Sequence, residues 1–218
     1  MAYRKYDTCF FERYATTVLR TMLGHKFDDL VNEDRPDLQS ADHSRLGIEV
    51  TRAMEGGKAA AQQMLKDLAG ITSGHGTADG IVSEIIENGY GFGLTDGRYV
   101  GGLELDYWKL ALPMKEVIAS KVRKVSSGFY GEYQEFGLFV FSKDFLDEWQ
   151  VRKTVSYILD LQKDVEVKYA RLFLHCAERL YACNLEDGIS PEYRITSADI
   201  SPELRRQFYL ESLNYDIK

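Results

Sequence analysis

Asp37 and Glu49 close the two ends of the stretch PDLQSADHSRLGIEVT, residues 36–51, and their spacing raises a question of chemistry. Residues 36–39 and 46–53 are short and extended in character, and Asp42-His43-Ser44 reads as the turn between them. Side chains alternate faces along a strand. Glu49 and Thr51 therefore share one face, while Ile48 and Val50 enter the opposite layer. If 36–39 pairs antiparallel with 46–51, Asp37 lies across from the 49–51 end on that same face. Two carboxylates there, joined by Glu12 from the preceding helix, offer hard oxygen ligands in one place. Such a set suits Mg²⁺ or Mn²⁺, which take a few carboxylates, keep waters and leave positions for phosphate oxygens. An ion so held polarises a phosphodiester and generates hydroxide from bound water. The plainer alternative is a pair of solvated acids near a turn.

The elements that must position these acids are legible in the apolar pattern. Residues 10–23, FFERYATTVLRTML, carry a helical stripe at Phe11, Tyr14, Ala15, Val18, Leu19 and Met22, and Gly24 makes a natural stop. Glu12 borders that stripe. After Gly56-Gly57, KAAAQQMLKDLA (58–69) reads as a helix ended by Gly70. Residues 71–108 read as an insertion: SGHGTADG as a loop, ADGIVSEIIENG as a short helix, and the glycine-dense, aromatic GYGFGLTDGRYVGGLELDYW most simply as a β-excursion turning at Thr95-Asp96-Gly97. A basic helix starts near Pro113 and closes at Gly128, with Met114, Val117, Ile118, Val122 and Val125 as its stripe. FGLFVF (136–141) reads as a buried strand and EWQVRKTVSYILDLQ (148–162) as an amphipathic helix. RLFLHC (171–176) and RLYACNL (179–185) read as two strands. Residues 187–218 read as a polar tail with a short helix at 202–213. The simplest organisation is a single α/β domain with a core of about 8–70 and 110–186, in which helices alternate with a mixed sheet.

Composition sets limits. The chain has 218 residues with a formal charge of −7, so it is not a protein that coats polyanions by net charge. The charge is unevenly placed: acids concentrate over 28–49, and Lys109, Lys115, Lys121, Arg123 and Lys124 concentrate over 109–124. An acidic focus plus a basic helix is what a metal site beside a phosphate track needs. No apolar run approaches the roughly 20 residues of a membrane-spanning helix, so no membrane partner is expected. The first residues lack the apolar core of a secretion signal. Cys9, Cys176 and Cys183 are an odd set without metal-like spacing, which suits a reducing, cytoplasmic setting.

The order of these features resembles the PD-(D/E)XK nuclease superfamily, the restriction-endonuclease-like fold. That family begins with a glutamate-bearing helix, followed by a strand with Pro-Asp. A strand with an acid, one spacer and a lysine comes next, and then a helix. Glu12 in FFERYATTVL, Pro36-Asp37 and Glu49-Val50-Thr51 match in order, and the 58–69 helix follows. The likeness covers residues 10–70 in motif and the rest in element order. It implies a restriction-endonuclease-like mixed β-sheet flanked by α-helices. It further implies Asp37 and Glu49 as ligands of Mg²⁺ (or Mn²⁺), Glu12 as a supporting acid, and hydrolysis of DNA or RNA.

Thr51 stands where the family carries its lysine. A threonine hydroxyl holds a water but supplies no positive charge for the developing phosphorane, and Arg52 points to the opposite face. In some family members the lysine has moved to a neighbouring element. Two positions qualify here: Lys58, with Gln62 one turn on, and Lys121, which borders the stripe of the basic helix, with Lys124 beside it as a substrate contact. If neither serves, the fold acts instead as a binding or assembly module, with the aromatic insert making a homodimer.

His25, His43 and His75 read as solvated. His175-Cys176 lies in a strand where one of the two must face inward. The glycines at 89–102 spell neither a dinucleotide fingerprint nor a phosphate loop.

Overall fold

In the computed structural model of the chain, residues 10–53, 67–68, 70 and 113–213 are described. Lys58, Gln62, His75, Cys9 and the glycine- and aromatic-rich stretch lie outside them.

A seven-stranded mixed sheet forms the middle layer, with strands in sequence order from edge to edge. Strand β1 (Leu30–Asn32), β2 (Leu38–Ser40) and β3 (Leu46–Ala53) make an antiparallel meander. Strands β4 (Glu135–Ser142) and β5 (Tyr169–Cys176) add in parallel to β3. Strands β6 (Arg179–Asn184) and β7 (Ile195–Asp199) complete the far side antiparallel.

Two helices cover each face among the described residues. Helix α1 (Phe10–Leu23) and helix α4 (Pro202–Leu213) lie on one side. There Tyr14, Val18, Leu19 and Phe208 pack on Ile48, Phe139, Phe141 and Phe173. Helix α2 (Met114–Ser126) and helix α3 (Glu148–Leu161) lie on the other, where Ile118, Val122, Val151 and Ile158 pack on Leu138, Val140, Leu172 and Leu174. Alternation along β4 and β5 thus feeds two separate cores. With both faces covered, His175 and Cys176 are buried together rather than one of them alone.

Helix boundaries follow from local chemistry. Asp147 opens α3 with a reciprocal capping box to Gln150. At the end of α2, the Gly128 N–H donates to the Val125 carbonyl and the Phe129 N–H to the Lys124 carbonyl. Gly128 has a φ of 72°, the left-handed conformation that this closure requires.

Two strands were not expected. Strand β1 is three residues long, and residues 195–199, read as polar tail, pair along β6 from Arg179↔Asp199 to Cys183↔Ile195. The tail is part of the fold. Strand β7 is an edge whose side chains are mostly exposed, so it has no apolar alternation to announce it. Helix α4 buries Phe208 and Tyr209 against α1.

Candidate functional site

The β2–β3 hairpin sets the first two acids. Asp42 organises its turn: its Oδ1 accepts from the Ser40 hydroxyl and from the Ser44 and Arg45 N–H groups. These hydrogen bonds hold the Asp42 carboxyl well below the usual carboxylate range. Register then places Leu38 opposite Ile48 and Gln39 opposite Gly47. Leu38 and Ile48 enter the α1 core. Asp37 and Glu49 accordingly belong to the other face, which Ala53 also joins in the α2 core.

Strand β2 pairs with β3 only through Gly47 and Ile48. Beyond that point the Asp37 side chain takes over from a strand: its Oδ2 accepts from the Val50 N–H at 2.7 Å. The buried Gln39 amide donates to the Pro36 carbonyl at 3.1 Å and its oxygen accepts from the Tyr133 hydroxyl at 2.6 Å, fixing the residue that precedes Asp37. Gly47 is required here, because a Cβ would meet Pro36 Cγ at 2.7 Å and the Tyr133 ring at 3.1 Å.

Glu49 is 6% exposed. Lys121, from α2, reaches across and its ammonium forms an ion pair with Glu49 Oε1. The Asp37 carboxyl titrates well above its ordinary range, first through burial and then through the negative charges of Glu49 and Glu12. The Val50 N–H and the Lys121 charge oppose that rise. Glu12 acts from the α1 side, in the first turn of a helix whose Phe11 ring carries Arg52 at 4.5 Å. This contact puts Arg52 on the α1 face, opposite Glu49.

Two tyrosines complete the buried cluster, and sequence reasoning missed both. Tyr130 is 3% exposed, and its hydroxyl is buried without a hydrogen-bond partner. Burial and the neighbouring Glu49 and Asp37 carboxylates push that hydroxyl far above its ordinary titration range. Tyr169 lies beside it and is raised in the same way, first by burial. The Tyr169 backbone is clamped by the buried Gln162 amide through two hydrogen bonds, and its hydroxyl donates to the Lys121 carbonyl at 3.4 Å. The available signal was weak: an aromatic just past a helix stop and one at a strand start.

Asp37, Glu49 and Lys121 are therefore brought together, with Glu12 at longer range. Thr51 is buried on the Glu49 face, and the exposed Lys124 lies one turn beyond Lys121. Lys58 and Gln62 lie outside the described residues.

Among the described residues, Asp37 accepts its one hydrogen bond through Oδ2, from the Val50 N–H, and the Tyr130 hydroxyl lies beside the Glu49 carboxylate. No group of three or more His, Cys, Asp or Glu side chains suited to a metal ion occurs among the described residues. Asp37 and Glu49 are the residues that could hold Mg²⁺, an ion that keeps several waters and borrows ligands from a phosphate.

No helix among the described residues is long and apolar enough to cross a membrane. Compared with protein-family models, with curated proteins and with solved structures, the chain matches none of them.

Proposed function

We propose that this chain is a metal-dependent nuclease of the PD-(D/E)XK type, in which Lys121 replaces the missing lysine at Thr51. The observation that carries this reading is the meeting of Asp37, Glu49 and Lys121 from a hairpin and a distant helix. It supplies two acids and one cation in a buried pocket that also holds an unpartnered hydroxyl. Asp37 and Glu49 would hold Mg²⁺ or Mn²⁺, which when bound polarises the phosphodiester and acidifies a water. Lys121 holds positive charge where the phosphorane develops and keeps Glu49 oriented. The Val50 N–H orients Asp37, and Glu12 keeps the field negative enough to favour a cation. Tyr130 and Tyr169 act as positioning residues, walling the pocket and presenting hydroxyl groups to Glu49 and its surroundings.

Asp37→Ala, Glu49→Ala and Lys121→Met should each abolish Mg²⁺- or Mn²⁺-dependent cleavage of DNA or RNA by a chain that still folds. Unchanged cleavage in the two carboxylate variants would overturn the assignment.

A non-catalytic role, as a binding or assembly module, is favoured by one observation. Lys121 and the Val50 N–H already occupy one oxygen of each carboxylate, so the pocket is partly neutralised by the chain itself. Calorimetry separates the two: a module with a decayed site takes up no Mg²⁺ or Mn²⁺ and cleaves no nucleic acid.

A further inference from the structure

Phe129 and Tyr130 leave the end of α2 in opposite directions. Tyr130 turns inward to Glu49, whereas Phe129 remains 46% exposed. Their rings meet edge to face at 5.2 Å between centroids, so each restrains the other. The exposed ring carries two cations: the Lys124 ammonium lies 5.3 Å and the Arg35 guanidinium 5.2 Å from its centroid.

The helix closure accounts for Lys124, because it brings the residue after the closing glycine back onto the last turn. It does not account for Arg35, which arrives from the loop before β2. Arg35 is held at a φ of 70°, a conformation unfavourable to any residue with a side chain. Pro36 and Asp37 follow it directly. The exposed ring is thus tied to the carboxylate pair twice, through Tyr130 and through Arg35-Pro36-Asp37.

We propose that Phe129 is a stacking platform for an unpaired base of a single-stranded nucleic acid, with Arg35 and Lys124 taking the phosphates on either side. This rests on the nuclease reading of Asp37 and Glu49. Every base has a π-face that an exposed aromatic ring accepts regardless of sequence, and that face is hidden in a duplex. Arg35 and Lys124 lie over the ring face itself, so a stacking base displaces them sideways, where their long side chains meet the flanking phosphates and Arg35 offers a planar fork. With a chain charge of −7, attraction to a polyanion must come from such local cations.

Fluorescence anisotropy of the full chain tests this, using a fluorescein-labelled oligonucleotide as single strand and as duplex. Chelator is present so that binding is read without cleavage. The single strand binds more tightly than the duplex. Phe129→Ala weakens single-strand binding about tenfold and leaves the salt dependence unchanged, and Phe129→Trp restores it. Arg35→Ala and Lys124→Ala each lower the log–log salt slope by about one. Trp149→Ala, at another exposed ring beside a lysine, Lys153 at 5.4 Å, leaves binding as in the wild type.

Wild-type binding by Phe129→Ala, a preference for duplex, or an equal loss in Trp149→Ala overturns the platform. Cleavage that depends on Asp37 and Glu49 but not on Phe129 removes the platform and leaves the nuclease reading standing. Stacking at Phe129 in a chain that cleaves nothing with Mg²⁺ or Mn²⁺ removes only the nuclease reading.

Discussion

The Lys121 ammonium rests on the Glu49 carboxylate, although the two residues are 72 positions apart in the chain. Both side chains are nearly withdrawn from solvent, at 15% and 8% exposure. An ion pair so placed gives little net stability, but removing one partner strands a buried charge. Its position also makes Lys121 the one lysine among the described residues that supplies positive charge to the Glu49 face.

Lys121→Met should therefore destabilise the chain by about 3–5 kcal/mol, as expected when a buried pair loses one member. It should also become more responsive to Mg²⁺, because a divalent ion that binds the folded state offsets the lost charge. Thermal melts with and without Mg²⁺ check this. An equal Mg²⁺ shift in wild type and variant would mean that the ion does not share the Glu49 pocket with Lys121.

Asp37 makes a prediction about pH. Its folded titration point lies above the ordinary 3.8, through burial first and then through Glu49 and Glu12. The folded state thus holds a proton that the unfolded chain has released, and stability falls as pH rises from about that ordinary value through the raised one. Asp37→Asn removes the charge while its amide oxygen still accepts from the Val50 N–H. The variant should melt with the wild type in acid and progressively above it toward neutral pH. Added Mg²⁺ should narrow the gap by favouring the ionised wild type. Parallel melting curves at every pH would show that Asp37 is not held in a strained ionised state.

The parts of this site that were readable from sequence are those governed by period and by chain neighbours. Strand alternation placed Glu49 and Thr51 on one face with Ile48 and Val50 on the other, and the Asp42 turn set the register. The stop at Gly128 ended the basic helix where a left-handed residue closes it. Convergence over long separations was not readable. The choice between Lys58 and Lys121 depends on where α2 packs, and the two tyrosines owe their place to the Gln162 clamp and to the chain direction after Gly128. His175 shows the same limit in the core. Burial lowers its titration point to about 3 among the rings of Tyr14, Phe139 and Phe141, because helices cover both faces of β5.

Gly47 links packing to chemistry. A methyl group at this position meets the Pro36 ring at 2.7 Å, and Pro36 is held in turn by Gln39 and followed by Asp37. Gly47→Ala should cost about 1–3 kcal/mol through overpacking. It should also lower Mg²⁺ affinity beyond what the lost stability explains, because Asp37 moves with Pro36. Titration of Mg²⁺ at a temperature where the variant is fully folded separates the two effects.

The Tyr130 hydroxyl gives the sharpest discrimination between a working site and a decayed one. It is buried and unpartnered beside Glu49, a situation that costs about 1–3 kcal/mol of desolvation. Tyr130→Phe deletes that group while the ring keeps its contacts with Phe129 and Phe136. In metal-free solution the variant should melt at or above the wild type. If the hydroxyl is held in reserve for the hydrated ion and its phosphate, the same variant should need more Mg²⁺ for half-maximal cleavage. It should also lose most of the stabilisation that Mg²⁺ gives the wild type. A stability gain without a change in Mg²⁺ response would identify the hydroxyl as a cost with no return, and would weigh against a metal between Asp37 and Glu49.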